Sequence, residues 1–431
     1  MMRNLRKLSP FLLVMLANLL GFGILLLSDK GPDWTGLTYA LALLGLVLVS
    51  YLLIVFLKMG DGYLFLIVSM LLSVGILMLF RLDETQAIRQ ITWFYVGMLG
   101  FYLVYFVFRR CACWHRLFPL YFILAFVLFV MTLLFGTYSG GAKNWLFGIQ
   151  PSEPIKILFI LGLSALFTAP QGDSPEVPAW IQKLFPFLNR PLRFFIRLYA
   201  SPRKRQLLIM AYAYMHLGFL VLQREWGSAV LYFLIYFVMQ FVFEGKFLFL
   251  GINLLLATGG SIFGYTFMSH IQERVAIWRD PFADAGDLGY QIVQSLYAMS
   301  AGGFAGTGIG QGHPEFVPVV KSDFIFAAIY EEMGMLGAAA VVLLFFLLVY
   351  RGIKIALMVK TPFYKAVALG ISLMFGFQTL IIIGGVTKLI PLTGITLPFI
   401  SAGGSSLATS FASLAILQSI SARTEDKSDD I

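Results

Sequence analysis

Apolar runs of about twenty residues recur along this 431-residue chain, broken only by short polar stretches. A helix rises about 1.5 Å per residue, so such runs reach across ~30 Å of hydrocarbon. No water satisfies backbone N–H and C=O groups there, which leaves helices or closed barrels. Barrel strands alternate apolar and polar residues, and these runs are continuous. Only 12% of the residues are charged, against about 25% in an ordinary soluble domain. The expected fold class is therefore an all-α polytopic membrane protein. About twelve transmembrane helices are expected, at roughly 9–28, 37–57, 62–80, 91–108, 117–136, 155–169, 206–222, 227–243, 247–267, 324–350, 364–383 and 403–421. The sixth is short and begins inside the QPSE stretch. The first has basic flanks without a small-residue cleavage site, so it reads as a helix and not as a removed signal.

The net charge of +9 suggests nucleic acid until the charges are placed. With a cytoplasmic N-terminus, the inside segments hold 21 of the 31 Lys and Arg residues. That is the positive-inside bias, so the surplus is topological and no nucleic-acid partner is expected. It also favours anionic headgroups. The segment 170–205, rich in Pro, aromatics and Arg, reads as a cytoplasmic loop with an interfacial basic-aromatic helix. The tail 424–431 reads as disordered. Cys111 and Cys113 fall on the reducing side, and a lone CxC beside His115 lacks a second ligand pair. His115, His216, His270 and His313 show no zinc spacing.

One long loop departs from this pattern. Residues 268–323 carry the acidic run RDPFADAGD and the glycine-rich GGFAGTGIGQG. A polar loop of this length is costly to order and points to binding or catalysis. With the same topology, TYSGGAKNWLFGIQPSE and KLIPLTGITLPFISAGGSS lie on the same outer face. Irregular backbone at membrane depth survives only where it is buried or lines a wet cavity. The chemistry is then extracytoplasmic, which argues against a nucleotide substrate. The acidic cluster reads either as a carboxylate that deprotonates a hydroxyl or holds a cation, or as a solvated turn with helix-capping Asp residues. Glu153 and Lys156 read as an i,i+3 pair at a helix start, Lys143 as a sugar contact or a snorkelling cation. Arg224 and Glu225 read as a surface pair or as cavity charges. Asp323 reads as an N-cap of the tenth span, with Glu331 or Glu332 facing a cavity. The glycine run lacks GK[ST] and a preceding strand, so it is not a phosphate loop.

Taken in order, GAKNW at 141–145, QPSE at 150–153 with Lys156, QREWGSA at 223–229, DPFADAGDLGYQ at 280–291, the GGFAGTGIG run, VPVVKSDFIFAAIYEEMG at 317–334 and LPFISAGGSS at 397–406 resemble the SEDS family of RodA, FtsW and SpoVE proteins. The resemblance spans roughly residues 62–423. It implies a ten-helix core at 59–423 containing the catalytic loop 268–323, with residues 1–58 as two extra N-terminal helices. It also implies a peptidoglycan glycosyltransferase that polymerises lipid II at the outer face of a bacterial cytoplasmic membrane, for elongation, division or sporulation. The implied partners are a class B penicillin-binding transpeptidase and other cell-wall or division proteins. Asp284 matches the essential loop carboxylate, expected to activate the acceptor hydroxyl. Lys143, Trp145, Gln150, Ser152, Glu153, Lys156, Arg274, Asp323, Glu331, Ser401 and Ser405 are the expected substrate contacts. A divalent cation, Mg or Mn, acting through Asp284 is left open. The chain departs from the family pattern at Arg224-Glu225-Trp226, at Asn144 and at Ala402. A lipid II flippase, a non-catalytic scaffold and a carboxylate-dependent transporter are the competing readings. A flippase usually has related halves, and no repeat is visible.

Overall fold

The computed structural model describes residues 2–27, 34–111, 113–139, 141–169 and 202–425. The basic-aromatic segment expected at 170–205 lies outside the described residues as far as residue 201, and so does the tail from residue 426.

Helices form over all twelve expected segments. They are α1 (Met2–Leu26), α2 (Trp34–Phe56), α3 (Gly62–Leu82), α4 (Glu84–Arg110), α5 (Phe118–Phe135), α6 (Ser152–Thr168), α7 (Pro202–Leu222), α8 (Trp226–Glu244) and α9 (Phe247–Phe267), then α12 (Ile325–Met358), α13 (Pro362–Val386) and α14 (Gly404–Glu425). Two further helices, α10 (Ser269–Arg279) and α11 (Tyr290–Gly302), lie in the long loop. Among the described residues nine helices are long and apolar enough to cross a membrane. The other three expected spans differ for separate reasons. The apolar part of α1 is only Pro10–Leu26, and α6 has 17 residues. α14 is rich in Ser and Thr, and Ser406, Thr409, Ser410, Ser413, Ser419 and Ser421 are all buried. It packs against protein, so it needs less hydrophobicity than a lipid-facing span.

The chain divides into two compact units: Met1–Phe101, Ala257–Arg351 and Gln378–Leu414 form the first, and Tyr102–Leu256, Gly352–Phe377 and Ala415–Ile431 the second. In the first unit α3 is apolar on every face and is accordingly enclosed. Asp61 caps it through Tyr63 N at 3.0 Å and also holds Arg351 Nη1 at 2.7 Å. In the second unit Phe129, Phe159, Tyr212 and Tyr232 surround the buried His216. Its Nδ1 sits 2.8 Å from Tyr212 O, so this histidine belongs to the core. A short antiparallel hairpin, β1 (Thr137–Ser139) and β2 (Ala142–Trp145), precedes α6, with Tyr138 opposite Lys143.

The glycine-rich run finds its explanation inside α12. Gly334 adopts φ 66°, ψ −171°, which breaks that helix's hydrogen-bond ladder. Four backbone groups lose their helical partners, and such groups must be satisfied within a membrane protein. The run satisfies them. Thr307 N and Gly308 N donate to Glu331 O and Glu332 O at 2.9 and 3.0 Å, while Met335 N and Leu336 N donate to Gly303 O and Phe304 O at 3.0 and 3.3 Å. The approach is close enough to require glycine: Gly306 has φ +87°, and a Cβ there would stand 2.6 Å from Gly334 N. The run is a close-packed clasp. Gly306→Ala is expected to lower stability by about 1–3 kcal/mol, read as a fall in the thermal midpoint of the purified protein. Gly100→Ala, in a helix with open space at the Cβ position, is expected not to lower it.

Candidate functional site

The clasp ends in a buried charge network. Arg81, at the end of α3, donates from Nε to Glu332 Oε1 at 2.7 Å and from Nη2 to Gly312 O at 2.8 Å. The same Nη2 lies 3.2 Å from Glu315 Oε2. Glu332 Oε2 accepts Gly310 N at 3.0 Å, and Glu331 Oε1 accepts His313 N at 2.7 Å. One of these two carboxylates was expected to face a cavity; both hold the loop, although among the described residues Glu331 Oε2 is buried with no hydrogen bond. Arg81 escaped the sequence reading because its partners lie more than 200 residues away.

This anchoring presents the acidic run at the surface. Asp280 accepts Phe282 N and Ala283 N at 3.1 and 3.3 Å and caps the 3-10 turn Pro281–Asp284, so it is a structural turn residue. Asp287 is exposed. Asp284 is exposed too, but its backbone is fixed: Gly289 N donates to Asp284 O at 2.9 Å, and a Cβ on Gly289 would meet Asp284 O at 2.9 Å. Among the described residues its side chain accepts only a long bond from Leu288 N, 3.4 Å to Oδ2. Asp284 is thus a carboxylate on a rigid turn, with its second oxygen open.

Four other expected residues lie in the same unit. Arg274 Nη1 donates to Leu392 O at 2.9 Å. Gly394 stands between two side chains: a Cβ on it would lie 3.9 Å from Arg274 Nη2 and 3.7 Å from Asp323 Oδ2. Asp323 is not the helix cap that was expected. Ala327 N and Ala328 N take Phe324 O, and the Asp323 carboxylate turns toward Arg274 and Gly394. Burial holds that carboxyl above its usual range, and the Ser322 hydroxyl and the Arg274 charge oppose the rise. Burial likewise lowers the Arg274 guanidinium from its ordinary value, and Asp323 opposes this. Ser401 donates to Ser322 O at 2.6 Å and accepts Leu397 N at 2.9 Å. It thereby ties the turn before α14 to the residue beside Asp323. Ser405 is half-buried in the first turn of α14. Next to these, Lys321 Nζ lies 2.6 Å from Asp83 Oδ2, and this hydrogen bond holds the Asp83 carboxyl below its usual range.

The remaining expected residues form a second cluster within the second unit. Glu153 and Lys156 are both buried and paired at 2.9 Å. Gln150 Nε2 donates to Glu225 Oε1 at 3.1 Å, and Tyr232 OH to Ser152 O at 2.9 Å. Of the adjacent charges at the α7–α8 turn, Arg224 is exposed with φ +63° and Glu225 is buried. Burial raises the Glu225 carboxyl, against the pull of Ser152, Gln150 and Ser228, and the Glu153 charge adds to the rise. Glu225 Oε2 and Ser152 Oγ are buried without hydrogen bonds. Lys143 turns to the end of α5, its Nζ 2.6 Å from Leu133 O. Trp145 is half-buried in β2.

Arg81→Gln would strand the Glu332 charge, and a loss of about 3–5 kcal/mol is expected, read from the thermal midpoint. The two shifted carboxyls make opposite contributions to pH dependence. Asp83, with a lowered folded value, stabilises the fold above the ordinary carboxylate range and loses this as pH falls through that lowered value. Asp323, with a raised folded value, favours folding when protonated and loses this as pH rises through that raised value. Thermal midpoints from about pH 3 to about pH 7 should therefore show a smaller acid-side loss in Asp83→Asn and a smaller loss on the rising side in Asp323→Asn.

A family model described as cell cycle protein, FtsW/RodA/SpoVE, matches residues 48–426. The match begins inside α2, upstream of the core start expected at residue 59. The peptidoglycan glycosyltransferase RodA of Mycobacterium tuberculosis is 34% identical over 443 residues, covering 96% of this chain and 90% of the relative. Among solved structures, a chain from a peptidoglycan synthase complex that coordinates polymerization and crosslinking superposes with a TM-score of 0.65 at 23% identity, covering 85% of this chain and 98% of its own. The rod shape determining protein RodA of Thermus thermophilus superposes with a TM-score of 0.54 at 22% identity, covering 84% and 96%. These likenesses support the all-α polytopic membrane fold, and the sequence matches settle the kinship: the chain belongs to the FtsW/RodA/SpoVE family.

Proposed function

We propose that this protein is a peptidoglycan glycosyltransferase that polymerises lipid II in cell-wall synthesis. The observation that carries the reading is Asp284: an exposed carboxylate on a backbone-locked turn, in the DPFADAGDLGYQ run that resembles the family's loop motif. Its open oxygen takes the proton of the acceptor GlcNAc 4-hydroxyl. The hydroxyl oxygen attacks C1 of the donor MurNAc, the C1–O bond to the pyrophosphate breaks, and undecaprenyl pyrophosphate leaves with the electron pair. General-base catalysis of this kind contributes about 10²–10⁴-fold. Arg274 is positioned by Leu392 O with its charge only partly offset by Asp323, and it serves as a contact for the departing pyrophosphate.

A divalent cation, Mg or Mn, bound through Asp284 would neutralise the developing pyrophosphate charge. Among the described residues no three His, Cys, Asp or Glu side chains gather to hold a metal. One carboxylate oxygen fits a cation whose remaining ligands are water and substrate phosphate, the habit of Mg. The loop and the site face outward from a bacterial cytoplasmic membrane, with both termini cytoplasmic, as the excess of Lys and Arg on the opposite segments supports. The partner is a class B penicillin-binding transpeptidase, a reading supported by the fold shared with a chain of a synthase complex that polymerizes and crosslinks.

Purified wild type given labelled lipid II, with and without transpeptidase and divalent cation, is expected to make polymer. Asp284→Asn, at an unchanged thermal midpoint, is expected to lose at least about 100-fold. A wild type that makes no polymer under any condition but moves lipid II across liposome bilayers would replace the enzyme with a flippase.

A further inference from the structure

The second unit holds a cavity of about 300 Å³ away from the residues considered above, lined by Met358, Lys360, Thr361, Tyr364, Arg423 and Thr424, with Val359 beside them. It lies where α12 stops at Met358, α13 starts at Pro362 and α14 nears its end at Glu425. Termini of membrane-crossing helices sit at headgroup depth.

Arg423 is fixed in place. Its Nη2 donates to Phe108 O and Arg109 O at 3.0 and 2.7 Å, and its guanidinium carbon lies 4.5 Å from the centre of the Tyr364 ring. None of these partners carries a negative charge. Its Nε is buried with no hydrogen bond. Lys360 is exposed at the rim. Among the described residues, no carboxylate forms an ion pair with either cation. Lys360 and Arg423 both line the cavity, and two cationic donors on one wall suit a polyatomic anion. Thr361 adds a hydroxyl donor to the lining.

A second feature narrows the class. Met358, which lines the cavity, and its neighbour in the chain Leu357 are 57% and 74% exposed. A soluble anion has no use for an apolar flank, whereas a lipid brings its acyl chains with its phosphate. Basic pockets between membrane helices bind anionic headgroups in this way. We propose that the cavity binds the phosphate of an anionic membrane phospholipid, with Lys360 and Arg423 as its charge partners and Leu357 and Met358 against its acyl chain. The inference is independent of glycosyl transfer and holds whether or not that reaction is the protein's own.

The test uses the full-length protein in mixed phosphatidylglycerol and phosphatidylcholine micelles, with bound lipid counted by native mass spectrometry. Wild type is expected to retain phosphatidylglycerol in preference to phosphatidylcholine. Lys360→Gln, at a rim position with no structural partner, is expected to cut that retention about fivefold at an unchanged thermal midpoint, as for one headgroup charge contact. Arg423→Gln should cut it further. A parallel arm adds millimolar inorganic phosphate, which should leave the bound lipid in place. Equal retention of the two lipids by wild type would overturn the proposal, as would wild-type retention in Lys360→Gln and Arg423→Gln together. Displacement of the lipid by inorganic phosphate would assign the cavity to a free anion instead.

Discussion

The loop that carries Asp284 depends on one defect in one helix. Gly334 breaks the ladder of α12, and the freed groups at Glu331, Glu332, Met335 and Leu336 are paired with the backbone of Gly303, Phe304, Thr307 and Gly308. In hydrocarbon an unpaired peptide group costs several kcal/mol. The break and the clasp therefore stabilise each other, and neither would persist alone. The side chains of Glu331 and Glu332 then extend the same junction to His313 and Gly310, and Arg81 supplies the counter-charge. A buried ion pair of this sort is weak evidence for stability as such. Its effect here is to tie residues 310–315 of the loop to the end of α3 and the break in α12.

That anchoring separates the three aspartates of the acidic run by role. Asp280 is consumed by its own cap, Asp287 is solvated, and Asp284 is left with a rigid backbone and an open oxygen. A reactive carboxylate benefits from this arrangement, because a group that is already positioned loses little freedom when substrate binds. Asp323 and Arg274 show the complementary case. Both are desolvated, both are shifted toward neutrality, and they stand around the backbone of Gly394 without closing on each other. Polar groups held apart at a protein surface favour a third charged party between them.

The glycines follow the same logic. Gly306 and Gly289 sit where a Cβ would strike a neighbouring backbone, and each holds one end of the loop to its support. Others, such as Gly100, face open space. Their value lies in the contact they permit and not in flexibility.

What the sequence determined by itself was the class of structure and most of its punctuation. Among the described residues all twelve expected segments are helices and nine of them are long and apolar enough to cross a membrane, because hydrocarbon leaves the backbone no alternative and that constraint is local. Glu153 with Lys156 as an i,i+3 pair was legible for the same reason, since the two lie within one helical turn. The motif order also singled out Asp284. What only the tertiary structure decided were the long-range pairings. Asp323 carried the signature of an N-cap, yet Phe324 takes that place and Asp323 faces Arg274, some fifty residues earlier. Glu225 turned inward while Arg224 turned out, a choice no spacing encodes. Lys143 turned to the last carbonyls of α5, and Arg81 found Glu332 across the sequence. Burial and charge pairing depend on which distant segments come together, and periodicity along a chain carries no record of that.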